Sequence, residues 1–242
     1  MDTSGWGLPV RRLERDPAHG RPSSWAARVP AVAQVLDQGW DLGPATVLVG
    51  ENGAGKSTLV EALAGAAGLD VRGGSTNTAG MGGDAHPDPL AGALRVRRGA
   101  GAARWGFFLR AETMHGVFDR VHGSRDDPDD FHAMSHGESF LSLLGTRRFS
   151  GSGLYVLDEP ESALSFTSCL SLVGVLHDLV ATGTAQVVVA THSPVLAALP
   201  GADLLVVDGD GLTPSAWEDL PLVAHWRTFM DDPRRYLRHV VP

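Results

Sequence analysis

The sequence predicts an α/β fold in which a mostly parallel central sheet is flanked by helices. Short, continuous apolar runs typical of buried strands alternate along the chain with longer segments whose apolar residues recur at helical spacing. The chain has 242 residues, 43% of them apolar, which is enough to bury one substantial core. We therefore expect one domain over residues 1–242, with a subregion of helices and loops at 72–145 that leaves the sheet.

The first strand and helix are joined by a glycine-rich loop. Residues 46–49 form a short apolar run that follows Gly43 and Pro44, which is typical of a buried strand. Residues 57–67 carry apolar side chains at helical spacing and predict a helix. The loop between them is therefore placed at the carboxyl end of a strand and the amino end of a helix.

The same reasoning predicts three further strands and one helix: strands at 153–157, 185–190 and 203–207, and a helix at 165–179. Two of these strands end in polar residues. Asp158 and Glu159 follow the first, and Thr191 and His192 follow the second. Because the carboxyl ends of parallel strands meet at one edge of a sheet, these residues are candidates for a shared site.

Composition limits the function classes. The formal net charge of −8 gives no general attraction to nucleic acid or to anionic lipid. A single cysteine, Cys169, excludes an internal disulfide and suits a reducing cytosol. The sequence has neither a signal-peptide pattern nor an apolar run long enough to span a membrane, so we expect a soluble cytoplasmic protein without membrane insertion. The acidic loop at 126–130 lacks the pattern of a calcium loop and is interpreted as solvated.

Residues 50–57 match the phosphate-binding pattern G-x-x-x-x-G-K-[ST] between a strand and a helix. Backbone N–H groups of such a loop turn inward around phosphates, and the helix N-terminus adds partial positive charge. Lys56 would reach the β and γ phosphates, Ser57 would offer its hydroxyl to Mg²⁺, and Thr58 would face the α phosphate. The remaining candidate nucleotide contacts are Asn52, Gly53, Ala54 and Gly55. Lys56 is also the single lysine beside 19 arginines, which indicates a position where arginine cannot serve.

Asp158 and Glu159 are candidates for the groups that hold the metal ion and face the attacking water. Successive residues leaving a strand point in different directions, so Asp158 can hold Mg²⁺ while Glu159 faces an attacking water. Phosphoryl transfer needs both a metal anchor and a group that positions or deprotonates the nucleophile. An acid pair of this kind about 100 residues after a phosphate-binding loop therefore predicts nucleotide hydrolysis.

The order of the motifs resembles that of the ATP-binding cassette (ABC) ATPases, whose P-loop NTPase fold is then expected. The matching segments are the loop at 50–57, Met134-Ser-His-Gly-Glu-Ser139, Leu157-Asp-Glu-Pro160, Ser162-Ala-Leu-Ser165 and Ala190-Thr-His-Ser193. The chain is most similar to small prokaryotic ATPases also described as AAA-family ATPases. SMC-type ATPases share this core but insert long coiled coils, for which the 78 residues between Lys56 and Ser135 leave no room.

The resemblance implies a head-to-tail homodimer that binds ATP and Mg²⁺ between its subunits. Ser135 and Gly137 would face the γ phosphate held by the partner's loop, and His192 would contact the same phosphate from its own subunit. Glu159 would be the general base, with Lys56 and His192 completing the catalytic set.

Two departures from the family pattern stand out. Arg110 or Glu112 occupies the position of the glutamine that usually helps to hold Mg²⁺, and His136 stands where transporter subunits mostly carry glycine. An aromatic residue that stacks on adenine is expected upstream of the loop, with Trp25 and Trp40 as candidates.

Three alternatives remain open from the sequence. The protein could be a slow ATP-dependent switch that recruits an unidentified protein partner, or the ATP-binding subunit of a transporter. A role on DNA rests on a local basic cluster formed by Arg95, Arg97, Arg98 and Arg104, although the net charge favours a solvated surface for it.

Overall fold

The structure is a computed structural model that describes residues 7–71, 74–75, 89–110 and 151–241. Its central feature is a seven-stranded sheet in the order β10-β9-β3-β8-β7-β6-β4. The inner strands β9, β3, β8, β7 and β6 run parallel, and the edge strands β10 and β4 are antiparallel to their neighbours. The strands are β3 (Ala45–Val49), β4 (Gly74–Ser75), β6 (Gly106–Arg110), β7 (Gly153–Asp158), β8 (Ala185–Thr191), β9 (Asp203–Asp208) and β10 (Gly211–Pro214).

Six α-helices occur in the described parts of the chain: α1 (Pro30–Gln38), α2 (Lys56–Ala67), α3 (Pro89–Ala93), α4 (Phe166–Ala181), α5 (Pro221–Asp231) and α6 (Arg234–Leu237). Local sequence explains where several of them begin and end. Proline is the first residue of α1 and of α5, a position that needs no N–H partner. Ser165 caps α4 by accepting a hydrogen bond from the N–H of Ser168 (3.2 Å), and left-handed Gly68 ends α2.

Side chains alternate between two apolar cores, one on each face of the sheet. On one face, Val47 and Val189 of neighbouring strands pack in the same core as Leu172 and Leu176 of α4. On the other face, Leu48 and Val188 share a core with α1 and α2. Helices therefore cover both faces, which is why the central strands are mostly apolar and stand out in the sequence as short apolar runs.

A second, three-stranded antiparallel sheet in the order β2-β1-β5 joins the face that carries α1 and α2. It is formed by β1 (Arg12–Arg15), β2 (Trp40–Asp41) and β5 (Leu94–Arg97). Leu13 lies opposite Val96 across this sheet and is fully buried. The small sheet thus extends the core beyond the central sheet.

The strands and helices predicted at 46–49, 57–67, 153–157, 165–179, 185–190 and 203–207 are all present, with bounds that differ by at most two residues. The prediction that residues 72–145 leave the sheet is wrong for β4 and β6. β6 lies inside the central sheet, β4 forms its edge, and β5 belongs to the small sheet. Phe107 and Phe108 on β6 are buried on opposite faces, so this five-residue run has the pattern of a doubly covered strand.

Candidate functional site

The predicted site residues converge at the carboxyl edge of the central sheet. The loop after β3 begins at Gly50, β7 ends at Asp158, and β8 ends at Thr191 just before His192. In-register pairing places Arg110, the last residue of β6, beside Asp158. Four adjacent parallel strands therefore deliver charged and polar side chains to one cleft, which is where open α/β sheets bind ligands.

Two glycines of the phosphate-binding loop are required by close packing. A Cβ atom at Gly50 would overlap the backbone carbonyl of Val207. Gly55 has a φ of +102°, which L side chains rarely adopt, and a Cβ atom there would overlap the side chain of Val29. Gly55 also precedes the first residue of α2, so its left-handed geometry turns the chain from the loop into the helix.

Lys56 is buried and its ammonium group points into the loop. Its Nζ donates to the carbonyls of Gly50 (2.9 Å) and Glu51 (3.1 Å), and lies 2.7 Å from Nε2 of His192. Burial lowers the pKa of Lys56, although nearby Glu159, Asp158 and Glu161 act in the opposite direction. The ammonium group is thus held at the centre of the loop by neutral acceptors that a phosphate oxygen could replace.

Asp158 is the most deeply buried carboxylate of the site, with a residue exposure of 3%. Its Oδ1 accepts a hydrogen bond from the hydroxyl of Ser57 (3.1 Å), which links β7 to the start of α2. Burial raises the pKa of Asp158, while hydrogen bonds from Arg110 and Ser57 counteract that effect. A hydroxyl and a carboxylate that converge in this way are hard oxygen donors, which fit Mg²⁺ when phosphates and water complete its shell.

Arg110 pairs with two acids. Its Nε and Nη2 donate to Oδ2 of Asp158 (3.1 and 3.0 Å), and its Nη2 also contacts Oε1 of Glu61 on α2. Burial disfavours the charged guanidinium, but Glu61 and Asp158 outweigh burial and raise the pKa of Arg110. Of the two residues proposed for the missing glutamine's position, Arg110 therefore lies against Asp158, the predicted metal ligand. Glu112 lies outside the described residues.

Glu159 and His192 face each other across the end of the sheet. Nε2 of His192 lies 3.2 Å from Oε1 of Glu159 and 2.7 Å from the ammonium group of Lys56. One ring nitrogen carries either a proton or a lone pair, so Nε2 serves only one of these neighbours at a time. Glu159 has a left-handed φ of 48°, an uncommon conformation for a residue other than glycine.

Glu161 is a site residue that the sequence argument missed. Its Oε1 accepts hydrogen bonds from the hydroxyl of Thr191 (2.7 Å) and from the backbone N–H of His192 (2.5 Å). It therefore fixes the start of the loop that carries the histidine. The signal was present in the sequence, since Glu161 is a third acid within four residues after a buried strand.

An open cleft of about 700 Å³ lies in front of these residues. Its lining includes Asn52, Glu159, Ser162 and His192. Among the described residues no group of three or more His, Cys, Asp or Glu side chains could hold a metal ion. Ser135 and Gly137, the predicted contacts from a second subunit, lie outside the described residues, as does His136.

The two candidates for adenine stacking differ in exposure. Trp40 is buried in the apolar core that also contains residues of α1 and α2, so it is not exposed for stacking on a ligand and this candidate is wrong. Trp25 is 67% exposed and immediately precedes a 3₁₀ turn at Ala26–Arg28. The next residue, Val29, abuts Gly55 of the phosphate-binding loop, which brings this segment to the side of the site.

Comparison with known proteins concerns the class of protein to which the chain is similar. No protein-family model matches the chain. A Streptomyces coelicolor protein named as an ABC transporter ATP-binding protein is 29% identical over 248 aligned positions. These positions cover 86% of this chain but 40% of that protein, so the chain spans less than half the length of the relative. The resemblance to ABC-type P-loop ATPases predicted from the motifs is confirmed.

Similar solved structures include ABC and SMC proteins. CbiO1 of Clostridium perfringens, part of the ABC transporter complex cbiONQ, matches 84% of this chain and 88% of its own with 14% identity and a TM-score of 0.46. The SMC head domain of Thermotoga maritima matches 86% of this chain and 99% of its own with 17% identity and a TM-score of 0.44. The α/β class itself is established by the mostly parallel sheet and the helices on both of its faces.

Proposed function

We propose that this protein is an ABC-type ATPase that binds ATP with Mg²⁺ at the carboxyl edge of the sheet and hydrolyses it to ADP and phosphate. The observation that supports the proposal is that two hydrogen-bonded groups meet at this edge of the sheet. In one, His192 contacts Lys56 and Glu159, and in the other Ser57 donates to Asp158. These are the types of group that phosphoryl transfer needs: cations and hydroxyls for phosphate, and carboxylates for metal and water.

Each residue has a distinct task in this proposal. The loop amides of Asn52, Gly53, Ala54 and Gly55 and the N-terminus of α2 bind phosphate oxygens, with the hydroxyl of Thr58 near the α phosphate. Lys56 exchanges its backbone acceptors for phosphate oxygens. Ser57 and Asp158 hold Mg²⁺, which when bound neutralises phosphate charge. Trp25 is the proposed stacking partner of adenine.

Glu159 and His192 act at the reacting end of the nucleotide. Glu159 accepts a proton from the attacking water, which its position in the open cleft allows. Once phosphate binds Lys56, Nε2 of His192 is no longer needed as the acceptor of that ammonium group. In the tautomer that carries its hydrogen on Nε2, the ring can then donate a hydrogen bond to the γ phosphate, and Glu161 holds the backbone of His192 in place.

The proposed assembly is a head-to-tail homodimer in which each chain forms one domain. Ser135 and Gly137 of one subunit would border the cleft in front of Glu159 and His192 of the other, as the resemblance to ABC-type ATPases implies. In this arrangement ATP lies between subunits, so its binding and hydrolysis drive association and separation. No described helix has the length and apolar character needed to cross a membrane.

A transporter subunit is the second candidate function. The name of the Streptomyces coelicolor relative favours it, since that protein is described as a transporter's ATP-binding protein. In both candidates the ATP site has the same chemistry, and the difference lies in the partner. A slow switch that recruits a protein partner in the cytoplasm is a variant of the first candidate, distinguished by a low basal turnover that the partner raises.

A DNA-directed role loses support from the basic cluster. Arg95 and Arg97 both donate to Glu14, and Arg98 donates to the backbone carbonyls of Pro9 and Ala67. Three of the four arginines are therefore engaged in internal contacts, which leaves little free positive charge for phosphate contacts along a nucleic acid.

The test is phosphate release from ATP by the purified protein and its Glu159→Gln variant. We expect the variant to bind ATP and to lose at least about 100-fold in turnover, the range seen when a general base is removed. The matched control is Glu218→Gln, the same change on an exposed surface turn at Trp217–Asp219. Normal turnover by Glu159→Gln, or the absence of ATP binding in the wild-type protein, would contradict the proposal.

A further inference from the structure

Arg110 forms the closest charged contact of the metal-binding aspartate. It ends β6 in register with Asp158, so the sheet itself sets the two side chains next to each other. The guanidinium donates two hydrogen bonds to Oδ2 of Asp158, at 3.1 and 3.0 Å. Oδ1 of the same carboxylate accepts the hydroxyl of Ser57 at 3.1 Å. Both oxygens of Asp158 are therefore engaged before any ligand arrives.

A buried carboxylate of this kind needs a partner of opposite charge. Asp158 is 3% exposed, and removing an ionised carboxylate from water is costly unless a cation and hydrogen bonds compensate. Arg110 meets that need with a planar group that fits a carboxylate and stays charged throughout the physiological pH range. The same cation, however, repels a second cation that approaches Asp158 alone.

We propose that Arg110 is the resident counter-cation of Asp158, a positioning residue that makes Mg²⁺ binding depend on nucleotide. This inference rests on the proposed function, since it assigns a role within the same site. Arg110 orients the carboxylate through its two hydrogen bonds, and its positive charge disfavours a free divalent ion beside Asp158. A metal ion that arrives with phosphates carries enough negative charge with it to offset that repulsion.

Glu61 is a second carboxylate partner of the Arg110 guanidinium. It lies one helical turn after Ser57 on α2, so both side chains project from the same face of the helix toward Asp158 and Arg110. The guanidinium of Arg110 can therefore shift its hydrogen bonds toward Glu61 when the metal and nucleotide engage Asp158, without losing a charged partner. A glutamine at position 110 would carry no positive charge and could not shift from one charged pair, with Asp158, to another, with Glu61.

The test is calorimetric titration of Mn²⁺, which accepts the same oxygen donors, into the nucleotide-free protein. We expect Arg110→Gln to bind Mn²⁺ about tenfold more tightly than the wild type, because a repulsive positive charge is gone. The matched control is Arg97→Gln, which removes one positive charge from the small sheet and should leave Mn²⁺ affinity unchanged. Circular dichroism establishes that each variant is folded.

ADP affinity measured with Mn²⁺ and with EDTA provides a second readout. Metal and nucleotide affinities are coupled reciprocally, so the factor by which Mn²⁺ strengthens ADP binding should fall about tenfold in Arg110→Gln. Equal Mn²⁺ affinity in the wild type and the folded variant would overturn the inference, as would weaker binding in the variant. Failure of the proposed function has a different result, since no variant or wild-type sample would then bind ADP at all.

Glu61→Gln keeps the inference testable if Arg110→Gln does not fold. Removing this acid takes away a partner that competes with Asp158 for the guanidinium of Arg110, so Mn²⁺ binding without nucleotide should weaken several-fold. Unchanged or tighter Mn²⁺ binding by Glu61→Gln would contradict the role assigned to Arg110.

Discussion

Lys56 reaches three acceptors from the first residue of α2: two backbone carbonyls and the ring of His192, all within 2.7–3.1 Å. An ammonium group is compact and donates in three directions, whereas a guanidinium is a wide planar fork. The arrangement of these three acceptors fits an ammonium group, and Lys56 is only 3% exposed. This explains why the single lysine of a chain with 19 arginines stands at this position.

We expect Lys56→Arg to lose at least about tenfold in ATP affinity or turnover, although the formal charge stays at −8. The reason is steric, because the larger group must displace the loop carbonyls or His192. Fluorescence titration with a labelled ATP analogue measures affinity, and phosphate release measures turnover. Arg235→Lys, on the exposed short helix α6, is the reciprocal exchange and should have no effect. Full activity of Lys56→Arg would contradict the site as built.

At the scale of single residues, motif spacing in the sequence identifies the residues expected to contact the nucleotide. It does not identify residues that hold those side chains or their backbone in place. The loop motif and the acid pair name Lys56, Ser57, Asp158 and Glu159 directly. Glu161 and Glu61 escape notice because their importance depends on which backbone N–H or guanidinium they meet in three dimensions. In the sequence Arg110 is only a departure from a motif. The register between β6 and β7, which the sequence does not reveal, places it beside Asp158.

At the scale of elements, the small sheet is held by a charge cluster centred on Glu14 of β1. Oε1 of Glu14 accepts from Arg95 (2.6 and 2.9 Å) and from Arg97 (2.7 Å), both on β5, and Oε2 accepts from Arg12 (3.2 Å). Partial burial opposes ionisation, but the arginines outweigh it and lower the pKa of Glu14. From the sequence alone, this basic run is a candidate surface for nucleic acid. In the structure, two of its arginines instead form ion pairs between β1 and β5.

We expect Glu14→Gln to lower the free energy of unfolding by about 1 kcal/mol at pH 7, since cross-strand ion pairs of this exposure contribute modestly. A carboxylate whose folded pKa is depressed stabilises the fold above its unfolded value of about 4.3, and loses that effect as pH falls through the folded pKa. The difference between variant and wild type should therefore shrink below about pH 4.

Urea unfolding at a series of pH values measures this difference. Glu218→Gln, on its exposed turn, is the control and should change stability little at any pH. A Glu14→Gln variant as stable as wild type at pH 7, or a difference that persists at acid pH, would show that the cluster does not stabilise the sheet by charge.

The element pattern also explains which parts of the fold could be predicted. Central strands buried on both faces stand out in sequence as apolar runs, and this pattern predicts β3, β7, β8 and β9. The pattern does not identify β6, because its five residues lie between a basic stretch and a long segment rich in glycine and charge. β1, β2 and β5 are short, and polar residues on their exposed side hide the alternation.

At the scale of the whole molecule, the sheet places every described site residue on one open edge. Glu159, Ser162 and His192 border the same cleft, so a second molecule could approach without disturbing either core. Head-to-tail pairing would create two equivalent sites, each with the phosphate-binding loop of one subunit and Ser135 of the other. This geometry makes a prediction that no single-subunit mechanism shares.

Two variants that are each inactive should recover activity when mixed. Lys56→Ala removes the phosphate-binding lysine, and Ser135→Arg blocks the contact made to the partner's nucleotide. In a mixed dimer one site combines both defects, whereas the other combines the intact loop of one chain with the intact Ser135 of the other. Random pairing of equal amounts leaves about a quarter of the sites intact, so we expect up to about 25% of wild-type phosphate release.

Light scattering after gel filtration provides the structural counterpart. In the Glu159→Gln background, ATP and Mg²⁺ should shift the mass from 25.5 kDa per chain toward twice that value, because hydrolysis no longer separates the subunits. Adding Ser135→Arg should abolish the shift while leaving ATP binding by the loop in place. If Ser135→Arg alone keeps wild-type turnover, or if the mixture stays as inactive as its components, each subunit hydrolyses ATP without the partner's Ser135 and the shared-site arrangement is wrong.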